Sequence, residues 1–107
     1  MPIRVEIPTI LRSYTGGAKS VLADGVSLAT LVSDLDGRHP GIADRLVEGE
    51  GQDRRLRRFV NVYRNDEDVR FLGGLATILY DGDTITILPA VAGGAAGRIP
   101  VIVRAPR

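Results

Sequence analysis

Apolar and polar residues alternate in the first part of the chain, and this alternation predicts β-strands. Ile3, Val5 and Ile7 are separated by charged residues, a period of two that is typical of a strand with one buried face. A Gly-Gly pair then marks a turn, and residues 19–22 predict a second strand. The chain is therefore expected to open with two strands.

The spacing of apolar residues then changes to the period of an α-helix. Positions i, i+3, i+4 and i+7 are apolar and lie on one helical face: Leu28, Leu31, Val32 and Leu35. Ser27 is placed to cap this helix by accepting a hydrogen bond from an amide of the first turn. Gly37 is expected to end the helix in the left-handed conformation. Residues 40–47 predict a second, shorter helix.

Strand-like patterns return in the second half of the chain. Residues 59–62 predict a strand, a turn follows at 65–66, and residues 69–72 predict a short returning strand. An Asp-Gly-Asp turn at 81–83 precedes residues 84–88, which are rich in β-branched side chains. The order of two strands, one main helix and several strands predicts an α+β fold, in which a sheet packs on that helix.

Composition narrows the class of protein. A chain of 107 residues suits one domain, and no apolar run approaches the roughly 20 residues that a membrane-spanning helix needs. The N-terminal stretch lacks the uninterrupted apolar segment of a signal peptide. The chain has no cysteine, which excludes disulfides and cysteine metal sites. We therefore expect a cytoplasmic protein without a membrane partner.

The formal charge of +1 is unevenly distributed along the chain. Arg98, Arg104 and Arg107 follow Gly94, and without them the 14 basic residues fall to 11 against 13 acids, a net charge of −2. The body of the chain is thus mildly acidic and its end is basic. Neither value is large enough to predict binding to nucleic acid.

Few residues suit catalysis or metal binding. His39 is the only histidine, and a lone loop histidine is interpreted as solvated rather than catalytic or bound to a metal. The acids at 66–68 and the pair Asp81 and Asp83 lack the spacing of a calcium-binding loop. Turn formation and solvation are therefore the preferred interpretation, and we predict no catalytic residue and no metal site.

Four arginines cluster beside the polar loop at 48–53: Arg54, Arg55, Arg57 and Arg58. Nucleic-acid-binding patches usually bring more positive charge together with exposed aromatic residues, and acids lie close on both sides of this cluster. A solvated rim is the first interpretation, and a protein-docking patch is the second.

Two Gly-Gly pairs occur late in the chain. Gly73-Gly74 lies between strand-like segments and is interpreted as a bend or bulge. Gly93-Gly94 follows the last predicted strand and leaves two interpretations. It is a linker to one more strand at 99–103, or it is a slender peptide without Cβ atoms. Such a peptide can thread a narrow channel and bring a terminal carboxylate into a partner's active site.

Three stretches of the sequence carry a family resemblance: VEIPTILRSYTGG, FVNVYRNDEDVRFLGGLAT and DGDTITILPAVAGG. In this order they resemble the ThiS/MoaD sulfur-carrier proteins, and most of all the CysO type of actinobacteria, over residues 1–94. Members of this family are ubiquitin-like β-grasp domains. The resemblance therefore implies a mixed sheet packed on one main helix over residues 1–92, followed by a flexible tail at 93–107.

The resemblance also implies that the chain is a protein co-substrate and not an enzyme. In the family, an E1-like enzyme adenylates the terminal glycine carboxylate with ATP and magnesium, and sulfur then replaces one oxygen to give a thiocarboxylate. In the CysO type, a PLP-dependent cysteine synthase uses this sulfur, and a zinc metalloprotease of the JAMM type releases the cysteine. Carried over to this sequence, Gly94 holds the sulfur and Gly93 threads the tail. Every cofactor then belongs to a partner enzyme.

This chain departs from the family pattern because it continues after the glycines. A Gly94 carboxylate that is locked in a peptide bond to Ala95 cannot be adenylated. Either a protease such as the JAMM type cuts between Gly94 and Ala95, or the chain as it stands is inactive. Partner contacts are expected on the outer face of the sheet near the tail exit, with Phe59 and Val60 as candidates.

Two other functions remain open at this point. A ubiquitin-like modifier or interaction module would join Gly94 to a lysine, or would bind partners through its surface without sulfur transfer. A purely structural domain would use residues 99–103 as an added strand. The final sulfur acceptor is also open among cysteine, thiamin, molybdopterin and secondary metabolites.

Overall fold

The computed structural model describes residues 2–89. This range contains the following strands and α-helices: β1 Pro2–Glu6, β2 Ser20–Asp24, α1 Leu28–Arg38, α2 Ala43–Leu46, β3 Val47–Glu48, β4 Arg55–Leu56, β5 Val60–Arg64, β6 Glu67–Asp68 and β7 Thr84–Pro89. Short 3-10 turns lie at Thr9–Thr15, Gly51–Asp53, Val69–Phe71 and Gly74–Ala76. No helix in this range is long and apolar enough to cross a membrane.

The main sheet is mixed and has five strands in the order β2-β1-β7-β5-β6. β1 and β7 run parallel to each other, and the other neighbouring strands in this sheet are antiparallel. β3 and β4 form a separate two-stranded sheet. One face of α1 shares a single apolar core with the main sheet. This arrangement confirms the predicted α+β fold with a mixed sheet on one main helix.

The alternating apolar residues of the strands and the apolar face of α1 are buried together in that one core. Ile3 and Val5 on β1 and Ile85 and Ile87 on β7 are buried, and their strand neighbours are more exposed. On α1 the predicted face is buried at each position: Leu28, Leu31, Val32 and Leu35. Burying a side chain of this size contributes about 1.5–3 kcal/mol to folding. The predicted helix face is therefore confirmed.

The beginning of α1 agrees with the prediction, but its end does not. Ser27 Oγ accepts a hydrogen bond from the Thr30 amide at 3.3 Å, and the Ser27 amide donates to Thr30 Oγ1 at 3.0 Å. This reciprocal cap satisfies two amides that the helix leaves free. Gly37 lies inside the helix, so the predicted left-handed end is wrong. The helix continues to Arg38, which pairs with Asp34 one turn earlier at 2.8 Å.

The second helix is shorter than predicted. It covers Ala43–Leu46 instead of residues 40–47. Gly41 has a φ of +99°, which lies outside the helical region, and the chain is already extended at Val47, where β3 begins. α2 is thus a single turn between α1 and the small sheet.

The strand predicted at residues 69–72 is wrong, because β6 ends at Asp68. The Asp68 carboxylate accepts a hydrogen bond from the Arg70 amide at 2.9 Å and begins a 3-10 turn. Gly73 and Gly74 follow with φ values of +144° and +59°. They form the predicted bend, but they follow one 3-10 turn and Gly74 begins the next, so no strand directly flanks them.

The last strand, β7, leaves the main sheet at one of its two ends. Because β1 and β7 are parallel, the ends of both strands lie beside the starts of β2 and β5. Pro89 stands opposite Val60, and Glu6 stands opposite Ser20 and Thr86. We term this the tail-exit end. The opposite end of the sheet holds the starts of β1 and β7 and the ends of β2 and β5.

Candidate functional site

The residues predicted to carry and release sulfur lie outside the described residues. Gly93, Gly94 and Ala95 come after Pro89, the last residue that the structure describes. Residues 90–94 can span at most about 18 Å when fully extended. A partner that reaches a carboxylate on Gly94 must therefore approach the tail-exit end closely.

The strand that leads to the tail is fixed at its start by a charged anchor. β7 lies between β1 and β5, and it begins directly after Asp83, whose side chain is 11% exposed. The carboxylate accepts hydrogen bonds from Arg64 Nε at 2.9 Å, Asn65 Nδ2 at 3.1 Å and the Tyr80 amide at 2.8 Å. These contacts join the turn before β7 to the end of β5.

The protonation of Asp83 follows from these contacts. Burial raises the pKa of this carboxyl, but hydrogen bonds from the Tyr80 amide, Arg64 and Asn65 outweigh burial and hold the pKa below its ordinary value. The sequence-based interpretation of solvation is therefore wrong for Asp83, although it suits Asp81, which is exposed. Within residues 2–89, no group of three or more acids and histidines is placed to hold a metal ion.

The two predicted partner-binding residues both lie at the tail-exit end, but on different surfaces. Phe59 is 61% exposed and occupies a turn that the Val60 amide closes by donating to Arg57 O at 3.1 Å. Val60 is half-buried against the core and shares its strand face with Val62. Since side chains alternate along a strand, Val60 points towards the helix side. The expectation that it lies on the outer face is wrong.

Leu88 is the apolar side chain that the outer face presents near the tail exit. It is 46% exposed and stands opposite Asn61, one residue before the end of β7. Leu88 was not among the predicted partner-binding residues. Its signal was present, however, because buried Ile85 and Ile87 place the residue that follows them on the other face of the strand.

Arg70 is a second residue that the sequence analysis did not select. Its guanidinium donates to Val60 O at 2.6 Å, to Arg57 O at 3.0 Å and to Asn61 Oδ1 at 2.9 Å. These bonds tie the 3-10 turn after β6 to the turn that carries Phe59. No local pattern in the sequence signals this contact, because its partners lie 9 to 13 residues away.

The four clustered arginines differ in their surroundings. Arg55 and Arg57 lie 3.5 and 3.6 Å from the Glu48 carboxylate, and Arg57 Nε also donates to Asp44 O at 2.6 Å. The other two, at positions 54 and 58, are exposed and have no ion pair within the part of the chain that the structure describes. All four arginines are exposed, which agrees with the interpretation of a solvated rim.

The interior space beneath the sheet, within residues 2–89, is apolar. The space beneath the sheet is lined by apolar side chains from α1 and three strands of the sheet, among them Val5, Leu35 and Ile87. His39 ends α1, where its amide donates to Leu35 O at 2.8 Å.

Comparisons with known proteins agree with this arrangement. The profile of the ThiS family matches residues 5–94. The chain is 57% identical over 94 residues to sulfur carrier protein CysO of Mycobacterium tuberculosis, a match that covers 88% of this chain and 100% of that protein. Small archaeal modifier protein 3 of Haloferax volcanii is 36% identical over 81 residues, covering 73% of this chain and 84% of that one.

A solved structure shows the same fold. A chain in the crystal structure of the Amycolatopsis orientalis BexX/CysO complex matches with a TM-score of 0.79 and 58% identity, covering 86% of this chain and 99% of that one. This match confirms the ubiquitin-like β-grasp fold, and the carrier named among the relatives confirms a protein substrate rather than an enzyme. Since the family profile matches most of its length, the chain belongs to the ThiS family.

Proposed function

We propose that this protein is a sulfur carrier in which Gly94, once it is the terminal residue, receives sulfur as a thiocarboxylate. The observation that carries the proposal is the end of the family match at Gly94, together with 57% identity to a sulfur carrier over 94 residues. The carrier would donate sulfur to cysteine biosynthesis or to another sulfur metabolite.

The chemistry requires a free carboxylate at Gly94. Water therefore first cleaves the Gly94–Ala95 peptide bond and releases residues 95–107. The carboxylate then attacks the α-phosphate of ATP, and pyrophosphate leaves. Sulfide attacks the acyl carbon of this adenylate and displaces AMP, which leaves one sulfur in place of one oxygen. This chain's contribution is a nucleophilic carboxylate on a narrow peptide, because Gly93 and Gly94 lack side chains.

The cofactors of these reactions would reside on partners. An E1-like enzyme would bring ATP and magnesium, a PLP-dependent cysteine-synthase-like enzyme would accept the sulfur, and a JAMM-type metalloprotease would supply zinc for peptide hydrolysis. The position of the tail-exit end is consistent with reactions that take place on partner enzymes. β7, which leads to the tail, lies between β1 and β5 in the sheet, so a partner can reach the tail at the end of a central strand.

A ubiquitin-like modifier is the second candidate function. It is favoured by 36% identity to a small archaeal modifier protein. A modifier would form an amide between the Gly94 carboxylate and a lysine of another protein instead of a thiocarboxylate.

Isolation of the protein from its own host distinguishes the two functions. The C-terminal peptide is analysed by mass spectrometry after denaturing purification. A peptide ending at Gly94 with sulfur in place of oxygen supports the carrier. Gly94 found only in amide linkage to lysines supports the modifier and refutes the carrier.

A further inference from the structure

A basic surface adjoins the tail-exit end on the β5 side. Arg54, Arg55 and Arg58 line two adjoining depressions that meet at Arg55 and Arg70. Within the described residues, Glu48 is the one acid that lines either depression. The surface starts immediately next to β5, whose first residue stands opposite the last residue of β7.

Two exposed aromatic residues directly follow arginines of these depressions in the sequence, Phe59 after Arg58 and Phe71 after Arg70. The chain has two phenylalanines, and both are exposed: Phe59 by 61% and Phe71 by 88%. Phenylalanine is otherwise among the residues most often buried. Protein interfaces are enriched in arginine and aromatic residues. We term the following group the arginine-aromatic surface: Arg54, Arg55, Arg58, Phe59 and Phe71.

Hydrogen bonds hold this surface in place before any partner binds. Arg70 contacts the backbone of residues 57 and 60 at 3.0 and 2.6 Å, which fixes the turn that presents Arg58 and Phe59. Phe71 directly follows Arg70. A surface that is already ordered loses less conformational entropy on binding than a mobile one.

The positive charge on this surface is only partly neutralised. Glu48 interacts with Arg55 and Arg57, and Arg70 uses its guanidinium for the bonds to Asn61 and the backbone. The guanidinium groups at positions 54 and 58 have no carboxylate partner in residues 2–89. These two groups can therefore pair with carboxylates from outside the chain.

The end opposite to the tail exit carries exposed acids in the turns around β5 and β7: Asp66, Glu67 and Asp81. On the β5 side, the field of Arg54 and Arg58, which have no ion pair within residues 2–89, would attract negative charge on another molecule. Fields of this kind act mainly on the rate of association and on its dependence on salt.

We infer that the arginine-aromatic surface docks on an acidic protein surface that borders the channel receiving the Gly94 tail in the adenylating partner. This inference rests on the proposed function for the identity of the partner. The tail and the docking surface would then engage one enzyme together, since at most about 18 Å separates Gly94 from the strand end. A nucleic acid is the less fitting ligand because the body of the chain, residues 1–94, carries a net charge of −2.

The test compares two double variants with the same net charge. Arg54→Ala/Arg58→Ala removes both unpaired cations, while Ala29→Glu/Ser33→Glu adds two negative charges on the exposed side of α1. The full chain is processed to end at Gly94, and circular dichroism checks that each form is folded. Association with the immobilised E1-like enzyme of the host is measured without ATP at about 0.1 M and about 1 M salt, where the Debye length falls from about 10 to about 3 Å.

The expected result is an association rate about tenfold lower for the arginine variant at low salt, with the helix variant within about twofold of the wild type. The difference should disappear at high salt. Equal rates for the two variants overturn the inference, as does a wild-type chain that does not bind. A labelled oligouridylate that binds more tightly than the enzyme, and only when Arg54 and Arg58 are present, overturns it in favour of nucleic acid.

Pyrophosphate exchange, measured in parallel, reports on the proposed function separately. Binding without ATP-pyrophosphate exchange would contradict adenylation of Gly94 while the docking result stands. If pyrophosphate exchange occurs but the two double variants associate with the enzyme at equal rates, adenylation is supported and the docking surface is refuted.

Discussion

Replacing Asp83 with alanine is expected to lower the free energy of unfolding by about 2–4 kcal/mol. Each hydrogen bond to a charged group contributes about 1.5–3 kcal/mol, and this carboxylate accepts three. Loss of one partner from a buried ion pair costs about 3–5 kcal/mol. The expected loss lies at or beneath the lower part of that range because Arg64 is 23% exposed and can keep its contact with the Tyr80 ring, 5.6 Å away.

The size of this loss depends on pH. Folding lowers the pKa of Asp83, so its contribution is fully present above the unfolded pKa of about 3.9. The contribution is lost as the pH falls through the lower pKa of the folded state. The stabilities of the wild type and Asp83→Ala should therefore converge in acid and differ most near neutral pH.

Urea unfolding at a series of pH values measures both quantities. Asp81→Ala is the matched control, because Asp81 lies in the same turn but is exposed, and its loss should change stability by less than about 0.5 kcal/mol. If Asp83→Ala and Asp81→Ala were equally stable at neutral pH, the anchor at the start of β7 would be refuted. A difference that did not shrink in acid would refute the assignment of charge to Asp83.

Three further predictions concern the cap, the exposed ring and the tail. Ser27→Ala should lower the free energy of unfolding by about 0.5–2 kcal/mol, whereas Ser33→Ala, at an exposed position in the same helix, should change it by less than about 0.5 kcal/mol in the same denaturant titration. Phe59→Ala should change stability by less than about 0.5 kcal/mol, since the ring is 61% exposed; a loss of about 3–5 kcal/mol would mean that Phe59 is part of the core. Gly94→Ala should leave the circular dichroism spectrum and melting curve unchanged but block thiocarboxylate formation, and normal thiolation of this variant would contradict the threading role.

The main helix and the central strands could be predicted because their signals are local. The face of α1 follows from the spacing of apolar residues, and Ser27 lies directly before it. The central strands β1 and β7 follow from alternating burial. In each case the residues that decide the structure lie within a few positions of one another, so one segment of sequence contains the whole pattern.

The wrong predictions arose where contacts between distant or competing groups decide the structure. At Gly37 the preference of glycine for a helix end did not decide the structure, because the helix continues to Arg38, which pairs with Asp34. At residues 69–72 the apolar pattern predicted a strand, but the hydrogen bond from the Arg70 amide to Asp68 begins a 3-10 turn instead. The contact of Arg70 with the turn before β5 is tertiary and leaves no periodic signal.

The predictions for the tail rest on the family resemblance, because the tail lies outside the described residues. The domain boundary at residue 92, the mobility expected for residues 92–97 and the cleavage after Gly94 lie outside the described residues and stay predictions. Amide hydrogen exchange in residues 92–97 tests the mobility, because the Gly- and Ala-rich segment gains little from burial. Protection equal to that of the central strands would contradict it.

Intact-mass analysis shows directly whether Gly94 accepts sulfur. The full chain and a form processed to end at Gly94 are each incubated with the E1-like enzyme of the host, ATP, magnesium and sulfide. The account predicts that the processed form gains sulfur in place of one oxygen and that the full chain gains none until a host protease removes residues 95–107. A full chain that persists uncut in host extract would refute processing as a natural step. If neither form gains sulfur with any E1-like enzyme of that host, the sulfur-carrier function is contradicted.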